Sequence, residues 1–576
     1  MLRTNQFAIR AFPPAAALLV GLGAGALAQQ AETPPVTSRG GMVITTSAPA
    51  SDVGAAILKK GGNAVDAAIA TAFALAVTHP SAGNIGGGGF MVIRLADGSS
   101  ATVDYRERAP MRSTQTMYLD STGKIVRQRT ATGYLAPGVP GTVRGLALAH
   151  STYGKLAWKD DVMPAVELAE KGFVLSPALA RSLNREVAEH MKPYPASVAA
   201  YGKPGGGEWV AGDTIRLRDL GRTLRAIATK GPNAFYTGWI ADSIAASMSR
   251  NGGLISKRDL AAYQAKSRAP LHGTYRGYDL ITMPPPTSGG VTMLEMLNIL
   301  ERFDLAKLGG MSPAALHVEI EAMRRGYLDR ARYLGDPDFV KMPIARLTSK
   351  AYAKSLAASI DLAHASSSVE LGHDIVTQVA SAEDDETTQF SIVDKSGNAV
   401  SNTFTLEGGF GSHVVVDGAG FILNNEMGDF NKKPGETNLT GDIGTPANVI
   451  APGKRMLSSM SPTIVTKNGK LFMVTGSPGG RTIINTVMEI VLGVIDFGLD
   501  ARQAVDNPRF HHQWLPDTVA FEKDAIPESV AAQLRAMGHA VKFGNTQGDG
   551  HTIVVREGVA SGANDHRSPD SKVSVP

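Results

Sequence analysis

The chain of 576 residues contains no cysteine. That absence removes disulfides, thiolate metal ligands and thiol nucleophiles together, so any covalent catalyst here must attack through an oxygen or an amine. A surplus of one charge is also missing. The 57 Lys and Arg against 53 Asp and Glu leave +4, spread without the clustered basic face of a nucleic-acid binder, and no nucleic-acid partner is expected. There is no HExxH, no GxxxxGK[ST] and no GxSxG. His511 and His512, in NPRFHHQW, stand without a third spaced ligand and read as packed or hydrogen-bonded structural residues. No metal and no cofactor are therefore expected. Past the N-terminus no uncharged stretch approaches the roughly 20 residues of a membrane span, so no stable membrane anchor is expected.

What is present is 43% hydrophobic and 19% charged residues, the composition of an ordinary globular protein with room for more than one core. The N-terminus, MLRTNQFAIRAFPPAAALLVGLGAGALAQQ, combines Arg3 and Arg10, a short apolar run from Ala15 to Ala28, and the small-residue site Ala26-Leu27-Ala28. This predicts a signal peptide over residues 1–28, a mature chain from Gln29, and a periplasmic or secreted location. No twin-Arg pair is present, which favours the general secretory route.

Helical periodicity dominates the first two thirds. In SDVGAAILKKGGNAVDAAIATAFALAVTHP, Asp52 and Asn63 are expected N-caps, and the second helix is nearly all apolar and therefore buried. Segments such as TVRGLALAHSTYG, DVMPAVELAEKG and VTMLEMLNILERF continue the pattern. The texture changes near Thr387. QFSIVDKSGNAVSNTFTL, VVVDGAGFIL and PTIVTKNGKLFMVTGS predict three hairpins, the last with an Asn468-Gly469 turn, and RTIINTVMEIVLGVIDFG predicts an apolar helix after them. Sheets sandwiched between helices are expected.

The boundary EDDETTQFS carries the chemical question. Thr387 and Thr388 open a strand, and Thr is a good strand residue without any chemistry. Were the bond after Glu386 cut, Thr387 would hold a hydroxyl nucleophile and a free α-amine of pKa about 7.7–8.0 on one residue. GSPGG then gains meaning: Gly479 and Gly480 follow a strand and open a helix, where backbone N–H groups either face an oxyanion or merely make a tight turn. Ser458 and Ser459 in RMLSSMSPT donate to a carboxylate or are loop serines. Glu426 and Asp429 in LNNEMGDF grip an ammonium or cap a loop. Arg106 in VDYRERAP clamps a carboxylate, or is a surface Arg paired with Glu107 or Asp104. Taken together, these groups would hold both charges of a free α-amino acid head and leave its far end at Thr387.

Through GGNAVDAAIA, HPSAGNIGGGGFM, YRERAP, APGVPGTVRG, MPPPTSGG, YLGDPDF, TTQFSIVDKSGNAVS, ILNNEMGDF, LSSMSPTIV, TGSPGG and NPRFHHQW, nearly all of the mature chain resembles the γ-glutamyltransferases, threonine-nucleophile members of the N-terminal nucleophile hydrolase superfamily. The resemblance implies an αββα sandwich of the α+β class. It implies a precursor that cuts itself before Thr387 into a large subunit, residues 29–386, and a small one, residues 387–576, which stay together as a heterodimer. It further implies attack by Thr387 on the γ-carbonyl of glutathione or a related γ-glutamyl compound, and resolution of the ester by water or by an amino acid or dipeptide acceptor. Gly479 and Gly480 match the oxyanion hole. Arg106, Ser458 and Ser459 match the carboxylate contacts, and Glu407, Glu426 and Asp429 the ammonium contacts. Thr405 matches a Thr that hydrogen-bonds the nucleophile.

Three positions depart from the family pattern. Glu407 stands where many relatives have Asn, which should strengthen ammonium binding. Glu386 stands where Gln is frequent. Thr440, in a segment resembling a substrate-covering lid, replaces an aromatic gate. The rival readings are a cephalosporin acylase of the same fold, whose glutaryl substrate lacks an ammonium for the three acids to meet, and a catalytically silent γ-glutamyl-binding protein.

Overall fold

The hairpin turns legible in the sequence build the two central sheets. After the strand Thr388–Asp394, the Asp394 carboxylate accepts from the N–H groups of Ser396 at 2.8 Å and Asn398 at 3.0 Å, and Gly397 takes φ 88°. The chain reverses there into the strand Ala399–Thr405. Asn468 and Gly469, both at positive φ, turn Thr463–Lys467 into Lys470–Thr475 in the manner of a two-residue hairpin loop. The computed structural model describes residues 34–376 and 387–576. The signal peptide expected over residues 1–28, and Glu386 of the expected junction, lie outside the described residues.

Two seven-stranded antiparallel sheets result. In spatial order the first runs Lys572–Ser574, Gly41–Thr45, Thr388–Asp394, Ala399–Thr405, Gly88–Arg94, Ser100–Asp104 and Lys266–Arg268. The second runs Val36–Ser38, Val559–Ala563, Thr552–Arg556, Lys470–Thr475, Thr463–Lys467, Tyr278–Thr282 and Leu271–Tyr275. The period-2 alternation of the strands divides their side chains between two cores. Val43, Met91, Phe390 and Ile392 pack with the helices Ala48–Lys60 and Ala64–Thr78. Met42, Ile44, Phe90 and Val92 face the second sheet, in the core shared with the helices Gly289–Leu300, Pro313–Tyr333 and Ile483–Ile495. The layers are helix, sheet, sheet, helix, as expected.

The polar positions of Thr388–Asp394 are buried between the sheets rather than turned to water. Gln389 Oε1 accepts from Thr403 Oγ1 at 2.5 Å. Ser391 Oγ donates to the His551 carbonyl at 2.7 Å, and Ser401 Oγ to the Thr475 carbonyl at 2.8 Å. The first bond joins neighbouring strands of one sheet and the other two cross between the sheets; all three satisfy groups that would be costly to bury alone.

Two local expectations are corrected. Asn63 caps Ala64–Thr78 reciprocally with Asp66, as predicted, but Asp52 lies inside the helix Ala48–Lys60 and pairs with Lys572 at 2.7 Å. The Pro at the start of that helix moves its first turn ahead of Asp52. VVVDGAGFIL forms one isolated bridge, Val415 with Ile422, and joins neither sheet. Its backbone pairs with itself, Val416 N donating to the Phe421 carbonyl at 3.0 Å and Leu423 N to the Val414 carbonyl at 2.9 Å. Side chains of the helical layer hold it too: Ser197 Oγ accepts from Val415 N at 2.9 Å, and Thr223 Oγ1 donates to the Ala419 carbonyl at 2.7 Å.

Candidate active site

Thr387 immediately precedes a central strand. Thr388 faces Phe404 across the hairpin, and the same register carried back one residue sets Thr387 opposite Thr405. Thr388 itself is buried, its Oγ1 3.0 Å from Thr46 Oγ1, which makes it a sheet residue. One cavity is lined by Thr387 and Thr405 together with Arg106, Glu407, Glu426, Asp429, Ser458, Ser459 and Gly480. Gly479 lines the larger adjoining cleft, which Thr387 also borders. Segments hundreds of residues apart thus converge on the end of one strand.

Arg106 is completely buried, which overturns the surface reading left open by the sequence. Its Nη1 lies 2.5 Å from Glu426 Oε2 and 3.6 Å from Glu107 Oε2, its Nη2 pairs with Asp429, and its Nε donates to the Met456 carbonyl at 3.3 Å. Burial opposes its charge, but Glu426 and Asp429 outweigh burial and raise its pKa. Glu107 behind it is pushed up to about 8 by burial, with Arg106 pulling the other way. Burial thus disfavours the charge on Glu107, which leaves the one guanidinium chiefly to Glu426 and Asp429. Asp429, whose side chain keeps 31% of its exposure, is the member of the pair open to the cavity.

The serine loop is fixed from both sides. Ser288 donates to the Ser458 carbonyl through its N–H at 2.8 Å and its Oγ at 2.6 Å. Arg330, on Pro313–Tyr333, donates to Ser288 Oγ at 2.8 Å and to Ser459 Oγ at 3.0 Å. Asn448 ties this loop to the acids: its Nδ2 donates to the Asp429 carbonyl at 2.7 Å and its Oδ1 accepts from Leu457 N at 2.9 Å.

Gly479 and Gly480 take φ 125° and 53° before the helix Ile483–Ile495. A Cβ on Gly479 would stand 2.6 Å from Thr482 Oγ1 and 3.2 Å from Gly548 Cα, so the turn admits no side chain there. Glu407 also lies at φ 81°, a conformation that Asn enters far more readily than Glu. Its N–H donates to Thr405 Oγ1 at 2.7 Å, linking the acid to the residue opposite Thr387.

The family model described as gamma-glutamyltranspeptidase matches residues 50–575. The chain belongs to that family. It is 46% identical over 571 residues to the glutathione hydrolase proenzyme of Escherichia coli, covering 99% of this chain and 97% of that one. Among solved structures, cephalosporin acylase from Bacillus halodurans superposes with a TM-score of 0.82 at 27% identity over 99% of both chains. Helicobacter pylori gamma-glutamyltranspeptidase matches at 44% identity and a TM-score of 0.54, over 55% of this chain and 91% of that one.

The segment resembling the family's lid borders the same cleft with Thr440, Gly441 and Asp442. It is anchored by Arg481, which donates to the Gly441 carbonyl at 3.0 Å, and by Arg127, 2.7 Å from Asp442 Oδ2. Thr440 Oγ1 donates to Asn438 at 3.0 Å within the segment. His511 and His512 are hydrogen-bonded structural residues as expected, His511 to Asn485 at 2.7 Å and Gln513 at 2.8 Å, and burial lowers them to about 3 and about 4. Sequence reasoning missed Glu107, Ser288, Arg330 and Asn448 as supports. Glu107 reads from the sequence only as a surface partner of Arg106, the MPPPTSGG motif alone hints at Ser288, and nothing local marks Arg330 or Asn448. Among the described residues no helix is long and apolar enough to cross a membrane.

Proposed function

We propose that this chain is a self-cleaving γ-glutamyltransferase and glutathione hydrolase whose nucleophile is Thr387. In maturation the Thr387 hydroxyl oxygen attacks the carbonyl of Glu386, an ester replaces the peptide bond, and the Thr387 amine is released. Water then hydrolyses that ester, leaving a carboxylate on Glu386 and a free Thr387 N-terminus. In turnover the amine accepts the hydroxyl proton as the oxygen attacks the γ-carbonyl, and the N–H groups around Gly479 and Gly480 receive the oxyanion. Collapse expels the amine portion of the γ-glutamyl donor with that proton. Water or the amine of an amino acid or dipeptide acceptor then resolves the γ-glutamyl ester. Arg106, Ser458 and Ser459 take the substrate α-carboxylate; Glu407, Glu426 and Asp429 take its ammonium. Export through the signal peptide and persistence of residues 29–386 and 387–576 as a heterodimer belong to the same reading.

The observation that carries it is the single cavity joining Thr387 to a buried arginine, three carboxylates and two serines. Three acids suit a zwitterionic head. A glutaryl substrate would bring no ammonium to replace Arg106 as their cation, which disfavours the acylase reading despite the fold shared with the Bacillus halodurans enzyme. A silent binding protein has no need for a strand-initial Thr beside a turn that only glycine can occupy. The test is turnover of a γ-glutamyl anilide beside its glutaryl analogue, with and without a dipeptide acceptor. Preferential γ-glutamyl turnover by a protein that runs as two bands on a denaturing gel is expected; equal turnover of both anilides would favour the acylase.

A further inference from the structure

A cluster of one carboxylate and two imidazoles lies on the wall of the large cleft that Thr387 borders. Glu186 sits near the end of the helix Pro177–Glu189, and His190, four residues on, is that helix's C-cap. His413 arrives from the segment after Thr387, held at φ 61° with its carbonyl accepting from Ser197 Oγ at 2.8 Å. Glu186 Oε1 lies 2.5 Å from His413 Nδ1, and Oε2 lies 3.1 Å from His190 Nδ1. The two imidazoles stack with centroids 4.9 Å apart and planes 17° apart, so both rings turn the same edge to one carboxylate. One donor atom from each residue lies within 4.8 Å of the other two.

We propose that Glu186, His190 and His413 form a binding site for a zinc-type divalent cation. Two imidazoles and one carboxylate are a donor set zinc uses, with bonds of about 2.0–2.2 Å that put neighbouring ligand atoms a little over 3 Å apart. The observed 2.5 Å and 3.1 Å separations need only a small opening to admit the ion. Binding exchanges the N–H···O contacts for nitrogen–metal and oxygen–metal bonds, each ring carrying its proton on Nε2 instead of Nδ1. Glu186 and His413 are mostly buried, whereas the His190 side chain keeps 48% of its exposure, so the ion would have fixed ligands on one side and a route from solvent on the other. Hard cations such as Ca²⁺ and Mg²⁺ prefer all-oxygen sites and are excluded by this set. Glu186 and His190 precede Thr387 and His413 follows it, so the ion would also cross-link the two halves of the chain, whether or not the chain is cut.

The test is isothermal titration of the metal-stripped, full-length purified protein with Zn²⁺, with Ca²⁺ as control, alongside thermal unfolding and the visible spectrum of the Co²⁺ form. One Zn²⁺ per chain is expected, with no Ca²⁺ binding, a higher melting temperature that a chelator reverses, and d–d bands of few-coordinate cobalt. His190→Ala, on a half-exposed helix end, should fold normally and weaken Zn²⁺ by at least the ~10–100-fold that loss of an outer-shell partner costs; His413→Ala should do the same. Absence of stoichiometric Zn²⁺ binding, or an affinity unchanged in both variants, overturns the proposal.

Discussion

Arg106 Nη1 and Glu426 Oε2 stand 2.5 Å apart with both side chains fully withdrawn from solvent. A buried ion pair of this kind is costly to break from one side, by about 3–5 kcal/mol, because the remaining charge is left without a partner. The site therefore holds its charges in place before substrate arrives. In the proposed binding mode an α-amino acid head exchanges partners, its carboxylate meeting Arg106 and the serines while its ammonium replaces Arg106 at the acids, which suits this site to a zwitterion better than to a simple anion.

Thr387→Ala is expected to leave one uncut chain with no γ-glutamyl anilide turnover. Thr388→Val should still be cut and active, since Thr388 Oγ1 meets Thr46 Oγ1 in the sheet, a bond whose loss costs about 1 kcal/mol. A denaturing gel with an anilide assay checks both. Two bands from Thr387→Ala would remove Thr387 as the nucleophile.

Asp429 is the partly open acid in the cavity, so Asp429→Ala should lose a charge-assisted contact to substrate of about 1.5–3 kcal/mol, roughly 10- to 150-fold in kcat/KM, mainly through KM. Glutaryl anilide, lacking the ammonium, should change far less. Steady-state kinetics on the two substrates decide the matter, and parallel losses would argue against an ammonium site.

Gly479→Ala places a methyl 2.6 Å from Thr482 Oγ1 at φ 125°. The turn must shift, and with it the N–H groups proposed to receive the oxyanion. A fall in kcat of about 10²–10³-fold is expected, the usual cost of losing one such donor. An unchanged kcat in a folded variant would place the oxyanion hole elsewhere.

Glu107 gives a pH dependence of stability. Its carboxyl is raised from 4.5 to about 8 in the folded protein, mainly by burial, so the folded state holds a proton that the unfolded state releases. That contribution is fully present below pH 4.5 and is lost as pH rises through about 8. Glu107→Gln should therefore gain in melting temperature relative to the unsubstituted protein as pH rises from about 5 to 9. A melting-temperature difference that stays constant over this range would show that Glu107 is not protonated in the fold. The comparison must be a difference, because Glu319 is raised to about 8 as well.

Local chemistry made much of the fold legible. The Asn63 cap, the Asn468-Gly469 turn and the apolar runs of Ala64–Thr78 and Ile483–Ile495 are written in adjacent residues. VVVDGAGFIL turns back on itself as its alternation predicts, yet it joins neither sheet, and side chains of helices far away in the chain also bond its backbone. Asp52 misled because a cap depends on where the first turn begins, and a neighbouring Pro set that point earlier.

The site divides in the same way. The residue types, and the ordered motifs that mark this family, are properties of the sequence alone, and they sufficed to nominate Thr387, the two glycines, the serines and the acids. Only the tertiary structure decided that Arg106 is desolvated and shared between Glu426 and Asp429, that Arg330 and Asn448 hold the serine and acid loops, and that Glu186 and His190 meet His413. The reason is physical. Capping, turn and periodicity energies depend on neighbours a few residues apart, whereas burial and charge pairing depend on which distant segments the closed sandwich brings together.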